Sequence, residues 1–330
     1  MAMRRRSAWN RGGRWYRTNI CRASRNWRKR YKRCKCNNPH PTLALGVCQH
    51  DIGRMPRYRP MVLSCPILLS CLGAALAQTP SPAAEPLHVR YETYAAGIHV
   101  ADVESGFSFG PRTYRMNLDY RTTGMIGYFV HGHQFDVVDG AWHGMQAEPS
   151  RFIGQGTWRG IDRLTAIDYH DGSPVVRQLV PPNTTDLEPV PDAMRANAID
   201  SLSGLAQLIR VVGATGRCET AVRTYDGRRI VAIEAHTVGE ERLEPTDRSS
   251  FAGKALRCDF SGRLVAGFRL DGDRARQSKP MQGTAWLAPV TDGAPPLPVR
   301  ITFQTRWFGD ATMYLMGIAP GFDRTVDRGN

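Results

Sequence analysis

YRMNLDYR, residues 114–121, alternates Tyr114, Met116, Leu118 and Tyr120 with Arg115, Asn117, Asp119 and Arg121. Successive side chains of an extended strand point to opposite faces, so this period of two puts the apolar set on one face and the polar set on the other. VRITFQTR (299–306) repeats the pattern, with Val299, Ile301 and Phe303 set against Arg300, Thr302, Gln304 and Arg306. Leu87, Val89, Tyr91 and the run Ile230 to Ile233 predict further strands. Asp-Gly pairs begin at 139, 171, 226, 271 and 292, and this dipeptide tolerates the positive φ of tight hairpin turns. The pattern predicts a mainly β, mostly antiparallel fold.

One stretch breaks the alternation. In DSLSGLAQLIRVV (200–212), Leu202, Leu205, Ile209 and Val212 recur on a helical stripe, and Asp200 stands where a side chain caps a helix start. A helix in a β-rich chain must bury its apolar face against something. The expected architecture is therefore a curved antiparallel sheet, or incomplete β-barrel, packed against one helix. The stripe is a candidate lining for an apolar ligand pocket, and it would equally fill an ordinary core.

Upstream, MPRYRPMVLSCPILLSCLGAALAQ (55–78) has the order of a secretory signal: cations at Arg57 and Arg59, an apolar run from Met61 to Leu76, then Ala75-Leu76-Ala77 before Gln78. Cleavage is expected between Ala77 and Gln78, giving a periplasmic product. The run is broken by Pro66 and followed by Pro/Ala-rich sequence, which argues against a retained transmembrane segment. Leu68-Leu69-Ser70-Cys71 fits a lipoprotein box poorly, because Leu occupies the small-residue position. The expected organisation is a basic arm (1–54), a signal peptide (55–77), a flexible lead-in (78–86) and one β-rich exported domain (87–330).

The formal net charge of +14 resides in the arm, which holds 15 Lys/Arg and the single acid Asp51. Residues 78–330 carry 27 Lys/Arg against 29 Asp/Glu. Arg4–Arg6, Arg28–Arg30 and nearby Trp and Tyr residues would suit nucleic acid. A signal normally lies at the amino terminus, however, so the arm reads more simply as disordered or upstream sequence ahead of a start at Met55 or Met61. Cys34, Cys36, His40, Cys48 and His50 match no familiar zinc spacing. A nucleic-acid partner is not expected, and neither is a cofactor.

Beyond the signal only Cys218 and Cys258 remain, and two thiols in an oxidising compartment are expected to form a disulfide. Candidate chemistry lies in GYFVHGHQFDVVDGAWHGM (127–145). If Asp139-Gly140 turns a hairpin, His131, His133 and His143 could converge as a metal site, with Asp136 beside them. Ser201 and Ser203 beside Asp200 lack a Gly-x-Ser-x-Gly elbow, and capping accounts for them.

The hairpin opening at Tyr91 to Gly97, the strands from Gly106 to Thr122 with Thr123-Gly124, the helix start Ile199 to Ser203, Cys218, Tyr225 to Arg229, Cys258 and Pro298 to Ile301 occur in an order that resembles a known family. It is the bacterial exported family catalogued as domain of unknown function 3108. Where that family has Asp-Pro-Leu, this chain has Asp200-Ser201-Leu202, which keeps the cap. The resemblance implies a periplasmic β-rich domain similar to lipoprotein-carrier half-barrels, and it implies no catalytic residues.

Three function classes follow. A non-enzymatic binding or carrier protein would hold an apolar or lipid-like envelope ligand beside the 199–212 helix. An envelope hydrolase would instead use the His131, His133, His143 and Asp136 group. A structural module docking another envelope protein would show an exposed apolar patch in place of a pocket.

Overall fold

A computed structural model describes residues 86–182, 186–305 and 309–321, all within the second of the chain's two units, Leu76–Asn330. The basic arm, the signal, the Cys/His set at 34–50 and the lead-in through residue 85 lie outside the described residues.

Thirteen strands form one antiparallel sheet that curls into a nearly closed barrel. β1 (Leu87–Ala95), β2 (Ile98–Phe109), β3 (Thr113–Thr122), β4 (Gly132–His143), β5 (Gln146–Trp158), β6 (Ile161–His170) and β7 (Ser173–Val180) run as one meander. β8 (Thr220–Tyr225), β9 (Ile230–Leu243), β10 (Gly253–Ala266), β11 (Met281–Pro289), β12 (Pro296–Gln304) and β13 (Asp310–Pro320) run as a second. β13 returns to pair with β1, Leu87 opposite Pro320 and Ala95 opposite Ala311, so the two meanders share one sheet with β7 and β8 as its edges.

Local chemistry explains the strands. β1 buries Leu87, Val89, Tyr91, Thr93 and Ala95, every second residue, toward the interior. β3 buries Tyr114 and Met116 as the alternation predicts, while Leu118 and Tyr120 pack part-buried against the same core. The Asp-Gly pairs divide. Asp171-Gly172 turns β6 into β7 with φ of 49° and 71°, while Gly227 and Gly293 also take positive φ in the β8–β9 and β11–β12 connections. Asp271-Gly272 belongs to the longer β10–β11 connection. Asp139-Gly140 makes no turn. It lies inside β4 at a register shift against β5, and Gly140 is required because any side chain there would strike the Tyr114 ring.

Short helices α1 (Gly124–Phe129), α2 (Asp192–Arg195) and α4 (Arg274–Gln277) sit in connections, whereas α3 (Ser201–Thr215) packs against β3, β4, β5, β8 and β12 inside the curl. Asp200 caps α3 by accepting from the Ser203 backbone N–H at 2.8 Å, and Gly216 ends it in the left-handed conformation. The buried face is Leu202, Ser203, Ala206, Ile209 and Val212. The predicted stripe thus holds at three positions, with Leu205 rotated to a part-buried position at the edge of the core. Complete burial of a side chain such as Ile209 contributes roughly 1.5–3 kcal/mol. Cys218 and Cys258 form a buried disulfide that ties the α3–β8 connection to β10. No helix among the described residues is long and apolar enough to cross a membrane.

The seam between β7 and β8 is crossed by the segment leading into α3. Ile199 bridges Thr224 in parallel, Leu187 bridges Arg269, and the Asn197 N–H donates to Gly172 O at 3.0 Å. Gly227 fits closely against Leu179 and Thr165. The backbone groups that an open sheet edge would leave exposed are thereby partly covered.

Candidate functional site

A cleft of about 1140 Å³ opens at this seam. One wall is built from the ends of β4 and β5, including Ala141, Ala147 and Pro149. The opposite wall comes from β8 and β9, with Ala221, Val222 and Arg223 facing Ala232, Ile233 and Glu234 across the pair. Tyr169, Asn197, Ile199 and Gln207 join the two. Gln207 also fixes α3 to β5, its Oε1 accepting from the Ala147 N–H at 3.0 Å. The lining is mixed: Ile199, Val222 and Ile233 offer apolar contact, and Gln207, Arg223 and Glu234 offer hydrogen bonds and charge.

Beneath the cleft lies a buried polar network. The Ser203 hydroxyl donates to Asp200 Oδ2 at 2.6 Å, and its single proton is thereby used. The Tyr114 hydroxyl, 2.7 Å from Ser203 Oγ, then donates into it. The Tyr169 hydroxyl stands 3.5 Å from the same Asp200 oxygen and also borders the cleft. Trp142 packs on Tyr114 at 4.5 Å between ring centroids, and Arg210 of α3 covers Trp142 at 4.5 Å. Polar groups of β3, β6 and α3 are thus joined around one carboxylate.

Electrostatics follow from burial. Desolvation raises the Asp200 carboxyl above its ordinary range, against the Ser203 hydrogen bonds that favour its charge. Burial likewise raises Tyr114 and Tyr169, and the adjacent Asp200 charge adds to both. Asp136, on β4, is pushed up to about 6 by burial, with the Gln134 hydrogen bond opposing and the Asp200 charge reinforcing. The Gln134 amide reaches Asp136 Oδ1 at 2.6 Å, and Gly154 on β5 leaves the space for both side chains.

The predicted histidine group does not assemble. His133 and His143 occupy opposite ends of one strand, about 33 Å of chain apart at 3.3 Å per residue. The expected hairpin at Asp139-Gly140 is absent because β4 runs straight through it. His133 pairs with Asp119 at 3.2 Å, His143 stands 3.6 Å from Glu148, and His131 is exposed. Asp136 faces the interior with neither His143 nor His133 among its hydrogen-bond partners. Another set, Glu92, His99 and Asp102, brings its ligand atoms within 4.8 Å of one another. His99 already pairs with Asp102 at 3.0 Å, and Glu92 accepts from the Tyr94 hydroxyl at 2.8 Å.

The predicted ligand stripe is placed differently as well. Leu202, Ile209 and Val212 are core, and neither they nor Leu205 line the cleft. α3 contributes Gln207 to it instead. Sequence reasoning missed Tyr169, Val222 and Ile233, which lie far apart in the chain and meet only through the closure of the sheet. Ser203 was visible only as part of a cap.

The family described as "Protein of unknown function (DUF3108)" matches residues 90–316. No curated protein matches the chain. Among solved structures, the chain is similar to a β-barrel-like protein of domain of unknown function DUF1849 from Brucella abortus. The TM-score is 0.42 at 12% identity, covering 72% of this chain and 98% of that one.

Proposed function

This chain belongs to the DUF3108 family of proteins of unknown function, and on that premise we propose that it is a non-enzymatic binding or carrier protein of the cell envelope, acting in the periplasm after export. Its ligand is amphipathic: an acyl chain or similar apolar body with a polar end. The observation that supports this reading is the seam cleft of about 1140 Å³, whose walls combine Ile199, Val222 and Ile233 with Gln207, Arg223 and Glu234. A site of that size and mixture suits a ligand held largely by apolar contact and oriented by a few polar groups.

The test is native mass spectrometry of protein purified from the periplasm of a Gram-negative host, beside the Ile233→Arg variant. The proposal expects a lipid-sized adduct on the parent that is lost from the variant while the fold is kept. Adduct-free parent protein, with the cleft exposed to envelope lipids throughout purification, contradicts it.

A further inference from the structure

The ends of β3, β4 and β5 farthest from the cleft carry a second surface. α1 joins Thr122 of β3 to Gly132 of β4, and its single turn is held down by its backbone: the Thr123 N–H donates to Val100 O at 3.0 Å and the Gly127 N–H to Thr123 O at 2.9 Å. Three of its side chains face outward. Met125, Tyr128 and Phe129 are 66%, 78% and 75% exposed, and the two rings meet edge to face at 5.4 Å. Ile98, at the start of β2 beneath α1, and Ile161, after the neighbouring β5–β6 turn, are also exposed. Single exposed apolar residues are ordinary, but three on one turn with two beside them form a patch.

The flank of this patch is cationic. Arg159 lies in the β5–β6 turn, its N–H donating to His131 O at 2.9 Å, and Arg163 follows on β6. Arg159 and Arg163 are exposed, with no ion-pair partner among the described residues. Of the nearby acids, Asp119 is shared by Arg121 and His133, and Asp162, exposed between the two arginines, accepts from the Thr157 hydroxyl at 3.1 Å. Protruding Tyr, Phe and Met beside unpaired Arg is the composition of a surface that inserts shallowly at a lipid headgroup boundary, with the arginines meeting anionic headgroups.

We infer that the α1 tip and the β5–β6 turn form a docking surface for an anionic lipid bilayer. The inference is independent of the cleft, which opens at the other ends of these strands and stays uncovered when the tip is seated. A protein partner would supply acidic side chains in place of headgroups, and the experiment separates the two.

Hydrogen–deuterium exchange of the full chain, alone and with vesicles of phosphatidylcholine or of phosphatidylcholine with phosphatidylglycerol, reads the tip separately from the arm at 1–54, whose 15 cations attract the same anionic vesicles. Slowed exchange is expected in peptides covering 122–132 and 157–163 on anionic vesicles alone. Tyr128→Ser with Phe129→Ser, and separately Arg159→Glu with Arg163→Glu, are expected to abolish that slowing while the β1 and β13 peptides stay protected, reporting an intact barrel. Protection confined to residues 1–54 overturns the inference. Protection of the tip without lipid, growing with protein concentration, also overturns it and makes the occupant a second copy. Equal tip protection on neutral vesicles, unchanged by the arginine substitutions, overturns the anionic assignment.

Discussion

The Tyr114 hydroxyl and Ser203 Oγ meet at 2.7 Å across 89 residues of chain, joining β3 of the barrel wall to the helix packed inside it. Ser203 simultaneously donates to the α3 cap Asp200, so helix start, strand and cleft floor share one set of hydrogen bonds. Tyr114→Phe removes one donor and leaves the remaining Ser203–Asp200 bond in place. It is expected to cost about 1–2 kcal/mol in chemical denaturation. Tyr91, equally buried, has a hydroxyl with no partner among the described residues, so Tyr91→Phe is expected to be neutral or stabilising. Equal losses from the two substitutions would show that the Tyr114 bond has no special role.

Asp136 makes stability depend on pH. Its folded value of about 6 stands above the ordinary 3.8, so between those values the folded state binds more protons than the unfolded state. The associated stabilisation is complete below about pH 4, falls as pH rises, and is lost above about pH 6, a span of about 3 kcal/mol. Buried Asp200 is raised in the same direction. Asp136→Asn is expected to flatten the dependence over this window and to raise stability at pH 7. Denaturation midpoints at pH 4, 5, 6 and 7 measure it, and identical slopes for parent and variant would contradict the assignment.

The Cys218–Cys258 bridge closes a separation of 40 residues, which by loop entropy contributes about 4 kcal/mol. Cys218→Ser with Cys258→Ser is expected to lower the unfolding free energy by roughly that amount. The thermal midpoint should then become insensitive to reductant, whereas the parent's should fall.

Gly140 is expected to tolerate no side chain. Gly140→Val forces the Tyr114 ring out of its place against Trp142, at a cost of about 1–3 kcal/mol, and should also weaken the network at Ser203. Near-ultraviolet circular dichroism, which reports the Tyr114–Trp142 pair, should change along with stability.

The fold was largely legible in the sequence because alternation and capping are local. Tyr114 to Arg121 showed which face of β3 turns inward, and Asp200 marked the start of α3. Reading failed where one local signature serves two ends. Asp139-Gly140 has the composition of a hairpin turn, but Gly140 is there to admit the Tyr114 ring from the next strand. The histidine group, which depended on that turn, failed with it. Leu205 and Ala206 are neighbours on the helix, and only the position of the surrounding sheet decides which is buried. The cleft was illegible for a different reason. Val222, Ile233, Tyr169 and Ala147 come together only when β7 and β8 approach across the seam, and no periodicity encodes that meeting.

The central claim is that the seam cleft holds an amphipathic ligand, and native mass spectrometry of the periplasmic protein beside Ile233→Arg tests it most directly. The account predicts a lipid-sized mass on the parent that disappears in a folded, disulfide-bonded variant. A parent without any adduct, or an adduct retained unchanged by Ile233→Arg, would contradict it.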